Sequence, residues 1–157
     1  MRLEETFVRV ATDLNALGAR WALVGALAVA VRAEPRQTTD VDFVVLVPGE
    51  REAESLVRAL FGRGYTLFEQ LKPRTGNRFP GVRLLTPGSA ESSVVVDLLF
   101  SFSGIEAEIV EAASAEVLEV LPGLPIPVAR RGHLLALKVE ATSASTKPGR
   151  SRSARTE

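Results

Sequence analysis

Residues 24–46 read VGALAVAVRAEPRQTTDVDFVVL, and the succession of residue types in this stretch decides the fold. Residues 20–24 (RWALV) have the composition of a short strand, punctuated by Gly25. The alanine-rich run that follows predicts a short buried helix ending before Pro35, because the residue preceding a proline is driven out of helical geometry. Residues 40–47 (DVDFVVLV) are β-branched and apolar and predict a central strand closed by Pro48-Gly49. Asp40 and Asp42 stand two apart on that strand, so both carboxylates point to one face. Carboxylates so close repel and raise each other's pKa unless a cation lies between them. The alternative is that Asp40 caps a turn with Thr38 and Thr39 while Asp42 faces solvent.

Outward from this stretch, Leu3, Phe7, Val10, Ala11, Leu14 and Leu17 repeat at helical spacing, with Gly18 as the stop. Helical spacing returns over 50–61, 104–113 and 131–141, and strands are expected at 65–68, 82–85, 92–100 and 116–121. The architecture expected is α/β (α+β), a small mixed β-sheet flanked by helices with its acidic site open on one face. Trp21 sits in a strand as a core residue, and His133, ahead of an apolar helix, is expected to cap or pack. The loop from Lys72 to Gly81, with Arg74 and Arg78, is either a solvated connection or a cover for what the site binds.

A third acid stands inside SSVVVDLLF: Asp97 is flanked by valines and leucines, and an aspartate in a central strand is costly to bury without compensation. If that strand lies beside Asp40 and Asp42, three acids converge as in a two-magnesium phosphoryl-transfer site; otherwise Asp97 sits at an exposed strand end.

The composition of the 157 residues narrows the chemistry. With no cysteine and the single histidine His133, thiolate sites and multi-histidine sites are excluded, and a metal must be a hard cation on carboxylate oxygens, Mg2+ or Mn2+. Lysine plus arginine (19) cancels aspartate plus glutamate (19), so no global basic field advertises nucleic acid. The acidic start MRLEETFVRV is no signal peptide, and the longest apolar run is too short for a membrane span, which makes a soluble, cytoplasmic protein the expectation. Residues 142–157 contain four basic residues and one acid and nothing to bury; they are expected to form a disordered basic tail after a domain spanning 1–141.

With Gly25 opening a helix 15 residues before Asp40, the sequence resembles the nucleotidyltransferase superfamily of the DNA polymerase β type, nearest the AbiEii-like toxin group. The matching residues are Gly25, Pro35, Arg36, Thr38, Asp40 and Asp42, then Asp97 in VVVDLLF and Lys138 in HLLALKVEA. The resemblance implies that Asp40, Asp42 and Asp97 are catalytic and bind the metal, with Asp97 also helping to deprotonate the acceptor hydroxyl. It implies nucleotide contacts at Gly25, Ala26 and Lys138; Arg36 either bridges to phosphate or pairs with Asp40. The implied partners are a nucleoside triphosphate, an RNA (tRNA), protein or small-molecule acceptor, and a cognate antitoxin.

Two positions depart from the family pattern. Ala26 stands where relatives have glycine or serine, which keeps the backbone amide. A serine- and arginine-rich tail replaces a charged segment containing Lys-Asp and another helix. These departures favour an alternative, a truncated and catalytically inactive nucleotide-binding or interaction module of the same fold. A haloacid-dehalogenase-type phosphatase fits poorly, because its Asp-x-Asp pair ends a strand and here Phe43 to Val47 follow the acids. A serine hydrolase or zinc protease fails for want of Gly-x-Ser-x-Gly or His-Glu-x-x-His.

Overall fold

The computed structural model describes residues 3–32, 40–71, 80–88, 94–102 and 104–137. The apolar stripe through Phe7, Val10, Ala11 and Leu14 forms helix α1 (Leu3–Ala16) and is buried. Gly18, at φ +68°, supplies the left-handed residue after α1 that costs glycine least. Strand β1 (Arg20–Val24) passes without a loop into α2 (Gly25–Arg32). Then come β2 (Asp40–Leu46), α3 (Glu50–Gly62), β3 (Thr66–Gln70), β4 (Gly81–Leu85), β5 (Val95–Ser101), α4 (Ile105–Ala115), β6 (Leu118–Leu121) and β7 (Leu124–Ile126). Residues 131–137 are helical.

Five strands form one sheet in the order β1-β2-β5-β4-β3. β2 and β5 are parallel and the other neighbours antiparallel, so the sheet is mixed and flanked by helices, as the sequence predicts. The alternation of side chains gives the sheet two unlike faces. One presents Trp21, Leu23, Val41, Phe43, Val45, Leu84 and Leu98 to a core shared with α1, α2 and α3. Phe43 is at its centre, stacked on Phe7 at 5.9 Å and met edge-on by Trp21 at 5.2 Å. Deleting such a ring costs about 3–5 kcal/mol. The other face is apolar where Ala22 and Val44 meet Ile109, Val110 and Ala113 of α4. Past that patch, along β2 and β5, it becomes charged.

The other side of β1 is taken by residues 127–129. Leu23 N–H donates to Pro127 O at 2.8 Å, and Ala129 N–H to Leu23 O at 3.0 Å. Arg32, at the end of α2, donates to the carbonyls of Val128 and Ala129 at 2.9 and 2.7 Å. A separate buried cluster ties α1 to β3. Asp13 accepts hydrogen bonds from Arg9 Nε (3.0 Å), Arg63 Nη1 (2.9 Å) and the Tyr65 hydroxyl (2.7 Å). Burial works against its charge, but the bonds from Tyr65, Arg9 and Arg63 outweigh it and hold the carboxyl below its ordinary range. Burial, and then the bond to Asp13, push the Tyr65 phenol up.

Three local expectations shift. β3 starts one residue later than expected and extends to Gln70, because Tyr65 is buried ahead of it. The strand expected from residue 116 starts at Leu118, since Ile105–Ala115 continues as helix. β7 is new: three residues including Pro125 are too short to show alternation, yet they pair with β6 across the turn at Pro122-Gly123. Arg36, Lys138, the basic loop residues Lys72, Arg74 and Arg78, and the tail 142–157 lie outside the described residues.

Candidate active site

One row of paired residues runs across all five strands and carries a charge in four of them. Val24 of β1 pairs with Asp42 of β2, Asp42 with Asp97 of β5, Asp97 with Arg83 of β4, and Arg83 with Glu69 of β3. Residues directly opposite in adjacent strands share a face, so the carboxylates of Asp42 and Asp97 are neighbours, and Asp40 lies on the same face two residues back. The acids therefore come together from positions 55 residues apart in the chain. Apolar alternation fixes this outcome: Val41, Phe43, Val45, Val96 and Leu98 belong in the core, which turns Asp40, Asp42 and Asp97 the other way.

Gly25 makes room for the first of these acids. Its φ is +72°, and a Cβ built on it would overlap Asp42 Oδ2 and lie 2.9 Å from Asp42 Cγ. Only glycine lets the start of α2 come down onto this carboxylate. The first backbone N–H groups of a helix lack intrahelical partners, so Gly25 and Ala26 bring hydrogen-bond donors and the positive end of a helix dipole beside Asp42.

Asp97 is 8% exposed and is gripped by Arg83, with Nε on Oδ1 at 2.8 Å and Nη2 on Oδ2 at 2.9 Å. Arg83 Nη1 lies 3.6 Å from Glu69 Oε2. Glu69 reaches that face through a β-bulge: β3 holds one extra residue, Phe68, between Leu67 (opposite Leu84) and Glu69 (opposite Arg83). Without it, Leu67 and Glu69 would share a face. The hydrogen bond to Asp97 leads the effects that raise the Arg83 pKa, helped by the charges of Asp97, Glu69 and Asp40. Among the described residues no arginine grips Asp42 in this way. Burial first, then the charges of Asp97 and Asp40 and a hydrogen bond with Asp97, push its carboxyl up to about 7, against a smaller opposing pull from Arg83.

Gly25, Ala26, Asp40, Asp42 and Asp97 are thus gathered at one end of the sheet. Arg83 and Glu69 escaped the sequence reading, although a lone arginine amid the apolar strand GVRLL was a usable signal. Trp21 is core, 2% exposed, and His133 packs with its Nε2 3.9 Å from Glu108 Oε1 of α4.

Among the described residues, no three His, Cys, Asp or Glu side chains are arranged as a ready-made metal cage. The donor set nonetheless suits a hard divalent cation. Asp40, Asp42 and Asp97 offer carboxylate oxygens on one face, and each Asp97 oxygen held by Arg83 keeps a second lone pair. Among the described residues no helix is long and apolar enough to cross a membrane.

Known structures share this arrangement of strands and helices. ANT(2")-Ia, solved in complex with adenylyl-2"-tobramycin, superposes with a TM-score of 0.61 at 16% identity over 94% of this chain and 82% of that one. A Thermotoga maritima protein assigned as a nucleotidyltransferase does so with a TM-score of 0.58 at 13% identity, covering 92% and 89% of the two chains. The fold is that of the nucleotidyltransferases. No curated protein matches the sequence. A family model does, over residues 9–155, and the chain belongs to that family: the AbiEii nucleotidyl transferase toxins of type IV toxin–antitoxin systems. It is a nucleotidyltransferase.

Proposed function

We propose that this protein transfers a nucleoside monophosphate from a nucleoside triphosphate to an acceptor hydroxyl, as the toxin of a toxin–antitoxin pair with a cognate antitoxin. The acceptor oxygen bonds to the α-phosphorus, the bond from that phosphorus to the bridging oxygen breaks, and pyrophosphate leaves. The observation that carries this reading is the pairing of Asp42 with Asp97 on adjacent strands, with Asp40 on the same face.

In this reading Asp40 and Asp42 hold a divalent cation, Mg2+ or Mn2+, and Asp97 completes the oxygen set and takes the proton of the acceptor hydroxyl. The cation, when bound, neutralises charge on the triphosphate and the leaving group. In-line displacement at phosphorus asks for positioning and charge neutralisation more than covalent chemistry, which three carboxylates serve. The N–H groups of Gly25 and Ala26 meet phosphate oxygens as other helix N-termini do. Arg36 and Lys138 are assigned by resemblance to the triphosphate. A nucleoside triphosphate donor suits a cytoplasmic protein, and RNA (tRNA) or a protein suits a toxin as acceptor.

The test is transfer of label from each α-labelled nucleoside triphosphate, with magnesium, to total RNA, lysate protein and small molecules. Asp40→Asn and Asp42→Asn variants run alongside. Label on one acceptor class, lost in both variants, is the expected result. Binding of Mg2+–nucleotide by folded protein with no transfer to any acceptor would overturn the reading in favour of an inactive binding module.

A further inference from the structure

All three guanidinium nitrogens of Arg83 are engaged, two on the two oxygens of Asp97 and the third toward Glu69. A two-point grip fixes the plane of a carboxylate as well as its place, which a lysine, with a single point charge, does not do. That restraint matters here, because Asp97 sits directly across from Asp42 and near Asp40. Without the grip, nothing described fixes the plane in which its two oxygens lie. The grip depends in turn on where Arg83 is aimed, and the bulge at Phe68 sets Glu69 opposite Arg83, 3.6 Å from Nη1. Bulges beside functional sites commonly serve to re-aim a side chain in this way.

Building on the nucleotidyl-transfer reading above, we propose that Arg83 is a positioning residue of the site, which holds the Asp97 carboxylate in its working orientation beside Asp42 and is itself aimed by Glu69 through the bulge at Phe68. The site then divides two tasks. Its net charge governs how tightly a bare cation is held, and the two-point grip governs turnover.

The experiment uses the full chain and its Arg83→Gln, Arg83→Lys and Glu69→Gln variants. Mn2+ binding without nucleotide is followed by the loss of the free-ion EPR signal, and kcat and KM for transfer are measured beside it. Arg83→Gln removes a positive charge and the grip together, so Mn2+ is expected to bind several-fold tighter while kcat falls roughly 10- to 100-fold. Arg83→Lys keeps the charge and loses the grip: Mn2+ affinity stays at the parental value and kcat falls as in Arg83→Gln. Nucleotide KM is unchanged in both, and Glu69→Gln lowers kcat by less.

Damage to the fold would instead weaken cation binding and turnover together. That joint loss, or an Arg83→Lys variant with parental kcat, overturns the proposal. If the parent chain transfers no label to any acceptor, whether or not it binds Mn2+–nucleotide, the nucleotidyl-transfer reading falls and this one with it. The two failures are distinct, because the second lies in the unsubstituted protein.

Discussion

Asp13 and Asp97 are buried almost alike, 5% and 8% exposed, and each takes an arginine, yet their surroundings are balanced in opposite ways. Around Asp13, two arginines and a tyrosine hydroxyl converge on one carboxylate. Donors exceed what the charge needs, and the cluster does what a buried ion pair with satisfied lone pairs can do: it ties α1, the end of α3 and the start of β3 together. Around Asp97, among the described residues, a single guanidinium grips the carboxylate while Asp42 lies opposite, and burial with the neighbouring acids raises Asp42 to a pKa of about 7. A buried aspartate with an arginine partner is therefore no mark of a site. What differs is the company: Asp13 is surrounded by donors, whereas Asp97 stands opposite a second carboxylate.

This contrast can be broken by substitution, and the largest effect is expected on transfer. Asp40→Asn or Asp42→Asn should lower the transfer rate by on the order of 10^3-fold, equivalent to about 4 kcal/mol of transition-state stabilisation, read from initial rates with saturating magnesium. Asp13→Ala should leave the transfer rate per folded molecule intact but lower unfolding free energy by about 3 kcal/mol in urea denaturation, because hydrogen bonds to a charged group are lost. Asp42→Asn should do the reverse to stability, raising the melting temperature of chelator-treated protein at pH 8.

The pH dependence sharpens the same point. Asp42 binds its proton more tightly folded (about 7) than unfolded (3.8). Its contribution to stability is therefore fully present below pH 4 and is lost as the pH rises through 7. Chelator-treated protein should show a melting temperature with a falling component between pH 5 and 8 that Asp42→Asn removes. Smaller again, Gly25→Ala should cost about 1–2 kcal/mol for a left-handed alanine, read by urea denaturation, with a fall in transfer because the new methyl displaces Asp42. Smallest is Tyr65→Phe: removing one donor from a surplus of three should cost about 1 kcal/mol and leave transfer unchanged.

The same contrast explains what the sequence disclosed. The main elements were legible because hydrophobic spacing and the β-branched runs around Phe43 and Leu98 are strong local signals. Asp40, Asp42 and Asp97 were legible as candidates because charge inside an apolar strand conflicts with its surroundings. The meeting of Asp42 with Asp97 was not, since the register of β2 on β5 is settled by core packing between segments far apart in the chain. Arg83 was hidden by the same non-locality, and Glu69 by a bulge that no residue pattern announces. In the sequence nothing sets Asp13 apart from the other polar residues of an amphipathic helix, and its burial follows from where Tyr65 and Arg63 arrive.

The charged row has a consequence for how the chain finds its fold. Side chains alternate along a strand, so a slip of one residue between β2 and β5 would turn Asp40 and Asp42, or Asp97, toward Phe7 and Trp21 and expel Phe43 or Leu98 into water. Buried unpaired carboxylates cost several kcal/mol each, so every neighbouring register is far worse than the native one. The acids that burden the finished sheet thereby act as sentries during its assembly, admitting only the alignment that brings Asp42 beside Asp97.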